Sequence, residues 1–496
     1  MTFEIVFVLL SLLGMVAALI ADKMRPGMIL FSVVVLFLCA GILTPKEMLE
    51  GFSNKGMITV ALLFLVSEGI RQSGTLGQVI KKLLPQGKTT VFKAQLRILP
   101  SVAFISAFLN NTPVVVIFAP IIKHWAKSVN LPATKFLIPL SYVTILGGIC
   151  TLIGTSTNLV VHGMILEAGF EGFSMFELGK VGIFIAIAGI IYIFLFSKRL
   201  LPDARPDTAV PDEEVEEGEK LHRVEAVLGA RFPGINKKLK DFNFQRHYGA
   251  EVKEIKTRNG QRFVSNLEDV VLHEGDTLVV MADDTFIPTW GESSVFVLLT
   301  NGNEPDTTGK KKRWFALLLL VLMIVGATVG ELPVTKEMFP DIKLDMFFFV
   351  SITTIIMAWT NLFPARKYTK YISWDILITI ACAFAISKAM VNSGVADSVA
   401  KFIIGLSDDY GPHVLLAMLF IITNLFTELI TNNAAAALAF PLALSIASQL
   451  GVSPTPFFVV ICMAASASFS TPIGYQTNLI VQGIGNYKFT DFVRIG

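Results

Sequence analysis

The chain has 496 residues, of which 53% are hydrophobic and 16% charged, with a net charge of +2 and a mean hydropathy of +0.64. Soluble proteins of this size carry about 25% charged residues, so a string of soluble domains is excluded. A near-neutral chain also lacks the basic stripe that a nucleic-acid partner requires. Of its 80 charged residues (41 basic plus 39 acidic), 37 fall between Leu201 and Arg313, leaving 43 for all the rest. This is the composition of a membrane protein, embedded in lipid, that carries one water-soluble insert.

A helix crossing about 30 Å of hydrocarbon needs roughly 20 apolar residues, fewer where protein shelters it. Before the insert the apolar runs predict spans at Phe3–Ile20, Met28–Leu43, Met57–Ile70, Lys135–Cys150 and Val181–Phe196. The first run carries Glu4 and no small-residue cleavage site, so it reads as a retained span rather than a signal peptide. After the insert come Trp314–Gly330, Leu344–Phe363, Ile376–Val391 and Thr455–Phe469. The four cysteines, Cys39, Cys150, Cys382 and Cys462, lie in apolar stretches without metal-ligand spacing and read as small buried hydrophobes.

Two long apolar regions, Ala94–Lys127 and His413–Leu450, are broken near their middles by Asn110-Asn111-Thr112 and Thr431-Asn432-Asn433. Polar breaks at membrane depth are tolerated only against protein or a water-filled cavity, so each region predicts a re-entrant helical hairpin. The halves also repeat. At a shift of 320, Thr151–Gly163 lies on Thr471–Gly483 with eight of 13 positions identical, and Ser73-Gly74 lies on Ser393-Gly394. At 321, Asn111…Pro120 lies on Asn432…Pro441.

Basic residues between Arg71 and Lys93, at Lys198-Arg199 and at Lys310–Arg313 mark the cytoplasmic side, as do Arg366, Lys367 and Lys370. The second half is then the upside-down copy of the first. The expected architecture is a polytopic all-α membrane protein with inverted repeats and two re-entrant hairpins, plus a small α/β cytosolic insert. Its parts are residues 1–200, an acidic linker 201–219, a domain 220–292, a linker 293–312 and a second repeat 313–496. The first half runs past Phe176–Gly182 into an apolar helix, whereas the second reaches a comparable Phe489–Gly496. That asymmetry predicts a further crossing helix after Gly496.

Within the insert, Asp212–Glu219 reads as solvated linker. Strands are predicted at Leu221–Leu228, Ala250–Lys256, Gln261–Val264 (after an Asn259-Gly260 turn) and Thr277–Met281, with a short basic helix around Ile235–Leu239. The run Leu272-His-Glu-Gly-Asp-Thr-Leu-Val-Val280 resembles the C-terminal regulatory domain of TrkA-type potassium-transport proteins. The resemblance implies a sensor or dimerisation module, in some relatives a nucleotide binder.

Four clusters carry the chemistry, and nearly all their residues are uncharged: 110–112, Gly154 to Asn158, 431–433 and Gly474 to Asn478. Broken helices expose carbonyls at one half-end, which with Asn and Ser/Thr oxygens form a hard neutral cage for Na⁺. Half-helix N-termini offer N–H donors to an anion. The pattern predicts two cation sites and one anion site. Among lone titratable residues, Glu68 and Lys388 hold equivalent positions and read as an ion pair, a watery margin or a coupling pair. His162 reads as a helix-packing hydrogen-bonder, and Glu428 as facing either the site or solvent.

At Asn110-Asn-Thr112 and Thr431-Asn-Asn433 the sequence resembles the divalent anion/sodium symporter family, whose hairpin tips carry Ser-Asn-Thr; both tips here are variants. The resemblance covers both membrane halves. It implies one Na⁺ site from Asn110, Asn111, Gly154 and Asn158, and another from Thr431, Asn432, Gly474 and Asn478. Anion contacts are implied at Asn111, Thr112, Asn432 and Asn433, to which the breaks add Ser156, Thr157, Gln476 and Thr477. An elevator motion and a homodimer come with the likeness. Dicarboxylate carriers of that family usually have Thr-Pro-Pro-Asn at the breaks, where this chain has Thr155-Ser-Thr-Asn158 and Tyr475-Gln-Thr-Asn478. With the insert, that pairing looks like the sulfate-transporting branch, so the expected function is Na⁺-coupled sulfate uptake, with a C4-dicarboxylate as the alternative. A regulated channel is the rival of another class, but a filter such as TVGYG is lacking. No nucleophile–base pair marks an enzyme.

Overall fold

The computed structural model describes all residues except 1–2, 22–23, 204–221, 230, 258–260, 284–285, 291–294, 301–309, 406–410 and 473, and only the backbone at 288–289, 297–300 and 310. The acidic run 212–219, the Asn259-Gly260 turn and most of the 293–312 linker lie outside the described residues.

The first half contains α1 (Phe3–Ala21), α2 (Pro26–Cys39), α3 (Pro45–Glu50), α4 (Lys55–Gln72), α5 (Thr75–Leu83), α6 (Val91–Ser106), α7 (Asn111–Ser128), α8 (Leu137–Gly148), α9 (Ser156–Glu167) and α10 (Gly179–Leu200). The insert holds α11 (Phe244–Tyr248) and α12 (Phe286–Trp290) among five strands. The second half continues with α13 (Lys310–Gly330), α14 (Pro333–Met338), α15 (Met346–Trp359), α16 (Tyr368–Tyr371), α17 (Trp374–Asn392), α18 (Val395–Gly405), α19 (Pro412–Leu429), α20 (Asn432–Leu450), α21 (Thr455–Ser466), α22 (Gln476–Gly485) and α23 (Phe489–Ile495). Among the described residues, seven helices are long and apolar enough to cross a membrane.

Every span expected from the sequence contains a helix, because runs of Leu, Ile, Val and Phe at this length have no other way to satisfy their backbone in lipid. Local signals set the ends. Pro26, Pro45 and Pro412 open α2, α3 and α19 at the position where a missing N–H costs nothing. Thr44 and Glu47 close a capping box on α3. Gly74 and Gly394, the matched glycines of the two halves, both sit at positive φ (68° and 75°), so each makes the same left-handed turn.

The burial pattern separates lipid-facing helices from core ones. On α10, Ile183, Phe184, Ile187, Ile191 and Leu195 are exposed, as are Leu318, Val321, Leu322 and Val325 on α13. Rows of that kind are stable against lipid rather than water. By contrast α8 is buried along its whole length and α20 from Asn433 to Ala443. Cys382 and Cys462 are buried as expected, whereas Cys39 is exposed and Cys150 half-buried on this apolar surface.

In the insert, β1 (His222–Leu228), β2 (Glu251–Lys256), β3 (Arg262–Phe263), β4 (Thr277–Ala282) and β5 (Phe296–Thr300) form one antiparallel sheet in the order β3-β2-β4-β1-β5. Phe232, Phe242, Phe244, Tyr248 and Phe296 fill its core. Two expectations are corrected. Ile235–Leu239 is no helix: Asn236 takes φ 61°, and the segment pairs its backbone with Val270 and Leu272 instead. The stretch read as linker from 293 supplies β5, which pairs with β1. The insert packs on the membrane part through Glu225 of β1, which meets Lys123 of α7 at 3.0 Å, and through Gly275, which lies against Leu479 of α22.

Candidate anion and cation site

Helices α7, α9, α20 and α22 begin at the four polar clusters, at Asn111, Ser156, Asn432 and Gln476. Their cap residues, Asn110, Thr155, Thr431 and Tyr475, make no side-chain cap hydrogen bond, unlike Thr44, Asn54, Thr90 and Asp345 elsewhere in the chain. These clusters therefore do not serve as ordinary caps. Each uncapped N-terminus keeps unpaired N–H groups and about half a positive charge.

The four N-termini meet in pairs across the halves. Thr112 Oγ1 donates to Gln476 Oε1 at 3.2 Å, joining α7 to α22. Ser156 and Thr157 donate to Asn433 Oδ1 at 3.4 and 3.3 Å, joining α9 to α20. At the centre Thr155 Oγ1 lies 3.1 Å from the Tyr475 hydroxyl. None of these contacts involves a charged side chain. Thr112, Ser156 and Asn432 are half-buried and Gln476 is exposed, so their polar groups are reachable, while Asn111, Thr157, Asn433 and Thr477 are buried. Asn110 and Ser156 line a narrow cleft beside Ser67 of α4.

The tip asparagines are anchored alike. Ser106 and Thr427, each five residues before a tip asparagine, lie 2.8 Å from the amides of Asn111 and Asn432. With its oxygen toward Tyr475, the Asn111 amide donates to Ser106 Oγ and to the carbonyls of Thr144 (3.1 Å) and Gly154 (3.3 Å). That network commits Asn111 to protein partners and aims it at the Gly154 carbonyl, a candidate cation ligand.

Asn158 and Asn478 hold the two breaks in the same way. Asn158 Nδ2 donates to the carbonyls of Gly148 and Thr151, and Asn478 Nδ2 to those of Ser468 and Thr471. Their oxygens differ. Asn478 Oδ1 accepts from Ser141 at 2.7 Å, whereas Asn158 Oδ1 is buried without a partner, because Ile461 stands where symmetry would place a serine. In the second set the orphaned oxygen is Thr431 Oγ1. A buried oxygen without a donor is the group a bound cation satisfies. Among the described residues no cluster of three His, Cys, Asp or Glu occurs, so a hard cation bound by neutral oxygens fits better than a transition metal. Close packing fixes the frame: a Cβ on Gly154 would strike the Gly148 carbonyl, and one on Gly474 would strike Ser468 Oγ.

Of the lone titratable groups, Glu68, Lys388 and His162 fall outside this centre. Glu68 pairs with Arg71 on its own helix at 2.7 Å and not with Lys388, which is exposed. The Nδ1 of His162 is buried without a partner, so the expected packing hydrogen bond is not made there. Glu428 faces the second break, where its carboxylate accepts from the N–H groups of Phe469 and Ser470.

The sequence matches the family described as "Citrate transporter" (CitMHS) over residues 16–447 and 342–495. The chain belongs to the citrate transporter family. It is thus a multi-pass membrane transporter and not an enzyme, in line with the resemblance to divalent anion/sodium symporters. It is 30% identical to an "Uncharacterized transporter" of Synechocystis over 94% of this chain and 89% of that protein. A "Putative sulfur deprivation response regulator" of Chlamydomonas reinhardtii is 28% identical over 94% of each chain. From the same alga, a "Probable sodium/sulfate cotransporter 3" is 23% identical over 96% of this chain and 84% of its own length. In this citrate transporter family member, sequence reasoning missed Ser106, Thr427 and Ser141 as supports of the site. The one available signal was that 106 and 427 are separated by the same 321 as the two tips.

Proposed function

We propose that the protein takes up a divalent anion, sulfate in the first place, together with Na⁺. The observation that carries this reading is the meeting of four uncapped helix N-termini among hydroxyls and amides with no basic side chain in the contacts. A tetrahedral dianion presents acceptors in every direction, and Thr112, Ser156, Asn432 and Gln476, with the amide hydrogens of Asn433, offer donors around it. Thr157 and Thr477 hold those groups in place. Bidentate recognition of a carboxylate would call for an arginine, and no contact of the site includes one.

Two Na⁺ ions travel as cargo in this reading. One is held by Asn110, Gly154 and Asn158 with Asn111 orienting the Gly154 carbonyl, the other by Thr431, Asn432, Gly474 and Asn478. Support comes from the two orphaned oxygens and from the sodium/sulfate name of an algal relative. The transport cycle is an elevator motion of hairpins α6–α7 and α19–α20 in a homodimer. The insert regulates it from the cytoplasm, because it packs on α7 and α22, two of the four helices that begin at the site.

A carboxylate substrate is the second reading, favoured by the description of the matching family. Uptake of radiolabelled sulfate against succinate into proteoliposomes, with and without a Na⁺ gradient, decides between them. Sulfate uptake that ignores Na⁺ would end the symport reading.

A further inference from the structure

We infer that Tyr475 is a specificity-determining residue that sets the size limit of the anion site; the inference rests on the site proposed above. Its counterpart in the first half is Thr155 (155 + 320 = 475). A small hydroxyl side chain on one side of the centre thus faces a phenol on the other. The Tyr475 hydroxyl lies 2.7 Å from the Asn111 amide and 3.1 Å from Thr155 Oγ1, with Asn432 near enough to interact with it. One oxygen atom therefore lies beside both tip asparagines and is bonded to the first.

The ring behind that oxygen is only 7% exposed, and a ring buried to this degree does not swing away without opening a void. The space beside the first tip is thereby closed on the side of the ring. A dianion with its oxygens around one central atom fits among Thr112, Ser156, Asn432 and Gln476 without entering the ring's volume. A dicarboxylate, with its second charge several bonds away, has to place one carboxylate where the ring lies. Rejection works through volume and not through lost attraction, so the longer anion is excluded however well its first carboxylate is bound.

Removing the ring should relax that limit. Uptake of radiolabelled sulfate, succinate and citrate into proteoliposomes is compared for the wild type, Tyr475→Thr and Tyr475→Phe. In the wild type sulfate is expected to be taken up and a large excess of succinate to leave it unaffected. Tyr475→Thr, which copies the first half, should improve succinate relative to sulfate by about tenfold or more. Tyr475→Phe keeps the ring and should still exclude succinate, while its lost hydroxyl raises the KM for sulfate several-fold. Wild-type selectivity in Tyr475→Thr overturns the inference and leaves the anion site standing, as does succinate uptake by Tyr475→Phe equal to that of the threonine variant. A wild type that takes up none of the three anions overturns both.

Discussion

Glu428 reaches across the second helix break to the backbone of Phe469. Its carboxylate accepts from the Phe469 and Ser470 N–H groups at 3.1 Å each and from Ser468 Oγ at 3.2 Å. The equivalent position in the first half, 428 minus 321, is Ala107. Among the described residues a charge ties down the second break and not the first, and removing the acceptor strands three donors beside the Thr431, Gly474 and Asn478 set. Glu428→Ala is expected to raise the Na⁺ concentration for half-maximal uptake by about fivefold or more. A Na⁺ titration at saturating anion reads this directly.

Gly148 leaves room for the first tip. A Cβ there would lie 2.6 Å from the Asn111 side-chain amide, closer than any side chain tolerates. Gly148→Ala must displace the amide that orients the Gly154 carbonyl, so uptake should fall about tenfold, as it should for Asn111→Ala. On α1, Gly14 has nothing within 4 Å of the added atom, and Gly14→Ala should transport as the wild type does.

The orphaned oxygens of Asn158 and Thr431 give each proposed cation set its own handle. Thr431→Val keeps the shape and removes Oγ1. It is expected to weaken Na⁺ activation about tenfold with little change in thermal stability, because no protein partner is lost. Steepness of the Na⁺ response should fall in the same variant. Unchanged affinity and steepness would remove Thr431 from the cation ligands.

The insert is held by Glu225, whose carboxylate takes two contacts from Lys123 Nζ at 3.0 and 3.1 Å and a third from Lys256 at 3.5 Å. Burial by itself would raise this carboxyl, but Lys123, Lys256 and Arg223 outweigh it and bring it from an ordinary 4.5 down to about 2. A carboxylate lowered on folding stabilises the docked state above its unfolded value and loses that contribution as pH falls towards its folded value. The loss should therefore run from about pH 4.5 to about pH 2 and leave neutral pH untouched. Glu225→Gln should cost about 2 kcal/mol at pH 7 and flatten the acid dependence, read as apparent melting temperature from pH 7 to 3.

Apolar length made the spans legible, and the tips stood out because Asn and Thr clusters interrupt those runs twice at one spacing. Ser106, Ser141 and Thr427 were not legible, for a physical reason. A hydroxyl in an apolar helix usually bonds the carbonyl one turn back, as Thr144 and Ser393 do with Leu140 and Ala389. Nothing in the sequence separates those from Ser106, which bonds across its own turn, or from Ser141, which bonds α22. The matched positions of Glu68 and Lys388 were misleading in the opposite way: a nearer partner, Arg71, sits three residues along the same helix. Ile235–Leu239 has helical composition, but a backbone pairing with Val270 and Leu272 prevails over it.

Helix α7 starts at the first tip and carries Lys123 twelve residues on, about 18 Å away at the rise of an α-helix. Pro120 lies between them, three residues short of the lysine, and leaves one helical hydrogen bond unmade there. A push on the insert would then travel to Asn111 along the axis of one helix.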